Sequence, residues 1–284
     1  MGFRRVHPGA QLALFAVVLG IAMFSFHPVI SIAALVGGLL TSCSLRGGAA
    51  TLRQAGYALG LGSLTAVLNP LFVHRGNSVF LYVAGRPLTV EALLYGACMG
   101  LLLAGVFLWF GVFSYLMDST RLHFLLSRAA PGVALLFSMT LRFFPLFLQR
   151  LQEIRAARAP LSNGQSRLRE SLRVFSGLTF WALEHAAGTT FSMAARGYGT
   201  GKRTCAVQHR MALGDVFLLV ASLGVLCLYG AMALGGQFTM EFYPVAVWRF
   251  SAWPAAGCYF ALCCVPALWT WGEELLWKYS LSTM

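Results

Sequence analysis

The chain has 284 residues, of which 58% are hydrophobic and only 11% are charged. Soluble domains have about 45–50% apolar and about 25% charged residues, so this composition excludes an ordinary soluble enzyme, a disordered chain and a disulfide scaffold. The formal net charge is +12, from 21 Lys and Arg against 9 Asp and Glu. In a membrane protein such an excess is typical of cytoplasmic loops.

Windows without charged residues mark the candidate membrane helices, because about 20 apolar residues cross the hydrocarbon layer as a helix. These windows are 11–45, 54–74, 92–117, 216–240 and 250–272, and a further apolar run follows Pro131. The first window is long enough for two halves, which His27-Pro28 divides. The runs are continuous rather than alternating, which favours helices. The sequence therefore predicts an all-α, polytopic integral membrane protein.

One segment, 149–212, has a different composition. It contains 10 of the 21 basic residues and only three acidic ones. Pro160 and the Ser162-Asn163-Gly164 cluster interrupt it, which predicts short helices joined by turns. We expect this segment to be a cytoplasmic module of short coupling helices between transmembrane helices at 1–148 and at 213–284.

The sequence does not decide on which side of the membrane the N-terminus lies. If Arg4 and Arg5 lie inside and every apolar run crosses, five crossings precede the basic segment and place it outside, against its charge. Either the halves around Pro28 do not both cross, or the N-terminus is outside; the basic segment is taken as cytoplasmic in both cases. The window 174–195 also has the length of a span, but its recurring polar residues favour a helix that packs on a partner or lies at the interface.

The sequence provides no catalytic machinery. The run Gly197–Lys202 is similar to a phosphate loop, but Arg196 stands where the first glycine belongs and Arg203 where Ser or Thr belongs. The spans contain no paired carboxylates. The six histidines are scattered without ligand spacing, and the seven cysteines include no CxxC pair. We therefore predict no catalytic residue, no metal site and no cofactor bound by this chain itself.

Several short motifs occur in one order along most of the chain. They are His7-Pro8, Phe26-His27-Pro28, Asn69-Pro70-Leu71-Phe72, Leu141-Arg142-Phe143-Phe144-Pro145 and Met193-Ala194-Ala195-Arg196-Gly197-Tyr198. In this order and spacing the chain resembles the transmembrane (T) component of energy-coupling factor (ECF) transporters, the family that includes the cobalt-transport permease subunit.

The resemblance implies two Ala-Arg-Gly motifs that end two coupling helices. In the family these helices sit in grooves of two cytoplasmic ABC-type ATPase subunits, which bind the ATP. The corresponding residues are Ala157 and Arg158 in the first motif and Ala195, Arg196 and Gly197 in the second. The first motif departs from the family pattern, because Ala159 replaces the glycine, and an alanine costs energy wherever φ is positive.

Four other residues are candidates for a structural or functional role: Arg142, Pro145, Asn69 and Pro70. An ionisable residue within a membrane run is functional by default. For Arg142 the alternative is that the guanidinium reaches the cytoplasmic interface at a helix end, as long basic side chains do. The sequence leaves both roles open.

The resemblance implies a non-enzymatic coupling subunit of an ATP-driven importer in a bacterial or archaeal cytoplasmic membrane. Its expected partners are the two ATPases, a membrane-embedded substrate-binding protein (the S component) and the lipid bilayer, with no nucleic acid. The cargo would be a vitamin or a transition-metal ion, and the S component would select it. One alternative is a self-contained secondary transporter or channel, for which Arg142 is the only candidate ionisable residue in the middle of the membrane. Another is a membrane enzyme that acts on lipid, but the sequence contains no cluster of His, Asp and Glu for such a reaction.

Overall fold

The computed structural model describes residues 3, 6–73, 78–83, 86–161, 167–201, 211–235, 240–241, 247–248 and 253–282. Nine α-helices lie within these ranges. They are α1 (Pro8–Phe24), α2 (Pro28–Arg46), α3 (Gly48–Phe72), α4 (Val90–Leu116), α5 (Ser119–Ala129), α6 (Pro131–Arg158), α7 (Arg167–Ala195), α8 (Leu213–Leu234) and α9 (Trp253–Ser282). Strands within the same ranges form two antiparallel pairs, β1 (Val79–Val83) with β2 (Arg86–Thr89) and β3 (Met240–Glu241) with β4 (Val247–Trp248). The predicted all-α fold class is confirmed.

Six of these helices are long and apolar enough to cross a membrane, so the chain is a multi-pass membrane protein. They are α2, α3, α4, α6, α8 and α9. Helix α1 is apolar but has only 17 residues. Helix α7 is long, yet it is not among the six, because polar residues recur along it.

The helices form two compact units. The first unit contains residues 1–118 and 209–284, and therefore α1–α4, α8 and α9. The second, the α5–α7 unit, contains residues 119–208. Here the structure differs from the expected short helices, since α6 has 28 residues and α7 has 29. The predicted boundary at 149 falls inside α6, because the change in charge there does not coincide with a helix end.

Asp215 holds the start of α1 beside the start of α8. One carboxylate oxygen accepts a hydrogen bond from the backbone N–H of His7, which precedes α1, at 3.1 Å. The other accepts from the N–H of Ala212, which precedes α8, at 2.9 Å. Helix starts carry N–H groups that lack partners within the helix, and a carboxylate satisfies them. The two helices therefore begin at the same end of the first unit, which we call the His7 end.

Helix α9 runs antiparallel to α1. The Tyr259 hydroxyl, near the start of α9, donates to the carbonyl oxygen of Val18, near the end of α1, at 3.1 Å. Further along α9, Trp269 packs so closely on the start of α8 that a Cβ added to Gly214 would lie 2.8 Å from its ring. Since α8 starts beside α1, α9 approaches the His7 end as it proceeds.

Helix α2 returns toward the His7 end, and α4 runs parallel to it. The Thr41 hydroxyl of α2 donates to the carbonyl oxygen of Cys263, at 3.3 Å, on the part of α9 between its two contacts with α1 and α8. Ala34 faces Gly105 of α4, and further along both helices Arg46 donates a hydrogen bond to the carbonyl oxygen of Gly111. Helix α4 therefore ends, at Leu116, on the side of the unit where α1 begins.

Helices α3 and α4 are antiparallel and pack backbone against backbone. Asn69, near the end of α3, donates to the carbonyl oxygen of Ala92, at the start of α4, at 2.8 Å. At the middle of the pair a Cβ on Gly62 would lie 2.6 Å from the carbonyl oxygen of Gly100. Small residues let membrane helices approach this closely, because helix association in lipid depends on packing. The first unit thus contains four alternating helices, α1 to α4.

Gly62→Ala should lower the free energy of unfolding by about 1–3 kcal/mol, because the added methyl group meets a backbone oxygen that cannot rotate away. The matched control is Gly60→Ala on the same helix, where a Cβ meets nothing within 4 Å. The measurement is the thermal unfolding midpoint of both variants in one detergent. Equal midpoints would show that α3 and α4 can move apart slightly without any loss in the free energy of unfolding.

Candidate coupling surface

The second Ala-Arg-Gly motif forms the end of α7. The N–H of Gly197 donates to the carbonyl oxygen of Ala194, and the N–H of Tyr198 donates to that of Met193, both at 3.0 Å. Gly197 has φ +76°. These two bonds and a left-handed glycine are the Schellman arrangement, which stops a helix at the residue before the glycine. Arg196 is therefore held at the C-cap position, directly after Ala195, the last residue of α7, and directly before the glycine.

The first motif forms the end of α6 in a different way. Ala159 has φ −51° and ψ −44°, which is ordinary right-handed helical backbone, and its N–H donates to the carbonyl oxygen of Arg155. The chain then continues through a 3-10 turn, Ala159–Leu161. No positive φ is needed at this position, so the alanine that replaces the family's glycine is not strained.

The arginines of the two motifs have no partner within the described part of the chain. Arg196 is exposed and Arg158 is half-buried. Among the described residues, neither side chain forms a hydrogen bond or an ion pair. In contrast, Arg150 on α6 pairs with Glu153 at 2.6 Å. The guanidinium groups at both helix ends are therefore available to carboxylates or carbonyl oxygens of another molecule.

The structure places Arg142 and Arg196 on the wall of one cavity of about 910 Å³ between α6 and α7. Phe143, which also lines it, stacks on Trp181 with the ring centroids 5.5 Å apart, and His185 lies beside both rings. This aromatic group sets which parts of the two antiparallel helices face each other. Nothing in the sequence links the two arginines, and neither Trp181 nor His185 belongs to one of the motifs. The spacing of four residues, which puts Trp181 and His185 on one helix face, is the signal that the sequence offers.

A second cavity of about 560 Å³ lies near the other end of the same helix pair. Arg155, Arg167 and Glu170 line it together with apolar side chains, among them Val174 and Phe175. The cavity contains charges of both signs, unlike the first. Arg158, the motif residue of α6, is absent from its wall.

The remaining candidate residues have structural positions. Asn69 bridges α3 and α4 through the bond to Ala92 described above. Pro70 is buried within the last turn of α3, and Pro145 is exposed within α6. Asn69 and Pro70 lie in the first unit, whereas Pro145, like Arg142, lies in the α5–α7 unit.

Comparison with protein-family models finds none that matches the chain, and comparison with curated proteins finds no significant match. The resemblance to the ECF transmembrane component therefore rests on the motifs and on the helix ends that they form.

Gly197→Ala should destabilise the end of α7 by about 1–2 kcal/mol, because an L-residue is strained in left-handed backbone. We expect faster hydrogen exchange of the amides in the last turn of α7, measured by mass spectrometry of the detergent-solubilised chain. The control is Gly188→Ala in the same helix, where a Cβ meets nothing within 4 Å and helix propensity rises. Unchanged exchange in Gly197→Ala would contradict the stop at this glycine.

Proposed function

We propose that this chain is the transmembrane coupling subunit of an ECF-type importer, which passes ATP-driven motion from two cytoplasmic ATPase subunits to an S component. The observation that carries the proposal is the pair of helix ends. Helix α6 ends at Arg158 and α7 ends one residue before Arg196, and neither arginine side chain has a partner among the described residues. Rigid helices with free guanidinium groups can transmit motion when their contacts differ between the nucleotide states of a motor.

The arrangement of the first unit supports a cytoplasmic position for the α5–α7 unit. Because α1 to α4 alternate in direction, the chain leaves α4 at the His7 end, and it enters α8 at the same end. In the sequence, the segments that join α3 to α4 and α8 to α9 contain three basic residues, Arg75, Arg86 and Arg249, whereas residues 117–212, between α4 and α8, contain 13. The positive-inside rule then puts the His7 end, with the N-terminus, in the cytoplasm.

The same arrangement bears on α6. A chain that leaves and re-enters the first unit at one end crosses the membrane an even number of times in between. Helix α6 is the only described helix between α4 and α8 that is long and apolar enough to cross. A single crossing by α6 is therefore inconsistent with this arrangement, and α6 lies on the cytoplasmic side with α7. With this proposal four crossings precede residue 149, and the basic segment and the N-terminus can both lie in the cytoplasm.

The topology can be tested with single cysteines in a cysteine-free background. Ser119→Cys precedes α6 and Ser162→Cys follows it, whereas Ser78→Cys lies between α3 and α4. A membrane-impermeant maleimide should label the first two variants in inverted vesicles only, and Ser78→Cys in intact cells. Labelling of positions 119 and 162 from opposite sides would show that α6 crosses.

The coupling role predicts a large effect of Arg196→Ala. Removing one partner of a buried charged contact costs about 2–5 kcal/mol, so the variant should lose ATPase subunits on co-purification or hydrolyse ATP without uptake. Arg158→Ala should act in the same direction, and the double variant should be the most affected.

The control for these variants is Arg169→Ala, an exposed arginine on α7 that belongs to neither motif. It should retain both the ATPases and uptake at equal expression. If Arg196→Ala also transports normally and keeps its partners, this arginine is not a coupling contact.

A further inference from the structure

The cavity between α6 and α7 is positively charged. Arg142 and Arg196 line it, and no carboxylate does. Among the described residues neither arginine forms a hydrogen bond or an ion pair, so the structure contains no group that balances the two charges. A planar guanidinium fork matches the geometry of a phosphate group and binds it through paired hydrogen bonds.

The rest of the wall is mostly apolar. Met139, Phe143, Leu146, Leu183 and Met193 contribute hydrocarbon or aromatic surface. The hydroxyls of Thr189 and Thr190 also line the cavity, but each donates its proton to a backbone oxygen of α7, at 2.8 and 2.9 Å. The two arginines are the only positively charged donors among the described lining residues, beside the Ser192 hydroxyl and the His185 ring, while most of the surface fits hydrocarbon.

The volume indicates a ligand larger than a free anion. Pockets for whole organic ligands measure about 300–1,000 Å³, and this cavity has about 910 Å³. A cavity lined by two cations and by mostly apolar surface matches an anionic amphiphile. We propose that it binds an anionic phospholipid, with the phosphate held by the arginines of the cavity and an acyl chain along its apolar wall.

Phospholipid is available to this protein because of its membrane location. The protein is a multi-pass membrane protein, and only two residues separate the end of α4 from the start of α5, so the α5–α7 unit is tethered next to a bilayer. Phe144 and Phe191, on the two helices of the cavity, are exposed. Exposed phenylalanines are typical of the apolar face of a helix that lies at the membrane interface. The proposal needs neither an ATPase nor an S component, and it therefore goes beyond the coupling function.

The test uses the full chain, purified alone in a neutral detergent and analysed by native mass spectrometry. Phosphatidylglycerol and phosphatidylcholine are offered at equal concentration, and we expect retention of phosphatidylglycerol. Arg142→Gln combined with Arg196→Gln should reduce that retention about tenfold, the equivalent of one lost charge-assisted contact. The control, Arg128→Gln with Arg169→Gln, makes the same change in net charge at exposed arginines outside the cavity, and it should retain lipid fully.

A second variant tests the apolar wall of the cavity. It also provides an independent result in case the double arginine variant does not fold correctly. Gly188 lines the cavity, and a side chain added there starts in open space. Gly188→Phe should fill the cavity and displace phosphatidylglycerol while both arginines remain. Both variants are first checked for a monodisperse elution profile.

Three results would overturn the proposal: equal retention of the two lipids, retention of phosphatidylglycerol by both variants, or its complete displacement by millimolar inorganic phosphate, which would indicate a free-anion site. The proposal would also be wrong if a polypeptide stayed bound to the purified chain and both variants abolished its binding. That result would show that a polypeptide, and not a lipid, occupies the cavity. Because the chain is tested alone, each of these results leaves the coupling proposal standing.

Discussion

The carboxylate of Asp215 is the contact on which the arrangement of the first unit depends. It accepts hydrogen bonds from His7 and from Ala212, and so it joins the starts of α1 and α8, which are more than 200 residues apart in the chain. Once these starts coincide, the alternation of α1 to α4 brings the end of α4 to the same place. The chain between α4 and α8 therefore leaves the first unit and re-enters it at the same end.

The two units differ in how they are stabilised. The first unit has a core in which Leu14, Ile21, Trp109 and Tyr259 are almost fully buried. In the α5–α7 unit the buried residues of the described helices are few: Ala134, Val174 and Leu178. A helix pair with so little buried surface has low local stability and gains most from a bound partner. The unit that carries both motifs is thus the one with the smaller buried core among the described residues.

The sequence predicts features that depend on whether a segment lies in lipid or in water. It does not predict features that depend on the register between two packed helices. Membrane helices need long apolar windows, so charge-free stretches located most of the spans, and the glycine after Arg196 correctly marked a helix end. The length of α6 was not predicted, because charge reports on surroundings and helix ends depend on caps. The shared cavity of Arg142 and Arg196 could not be inferred, since the stacking of Phe143 on Trp181 sets the register. Asp215 was missed because a single carboxylate carries no pattern.

The two motif-bearing helices end differently: a left-handed glycine stops α7 abruptly, whereas α6 runs on through a right-handed turn. If the chain has the coupling role proposed above, it is asymmetric at the two places where the ATPase subunits would attach. Two identical motors would meet unlike surfaces, and one of them would have to adapt its groove. A pair of different gene products, each shaped for one terminus, removes that mismatch and would fix which motor occupies which side.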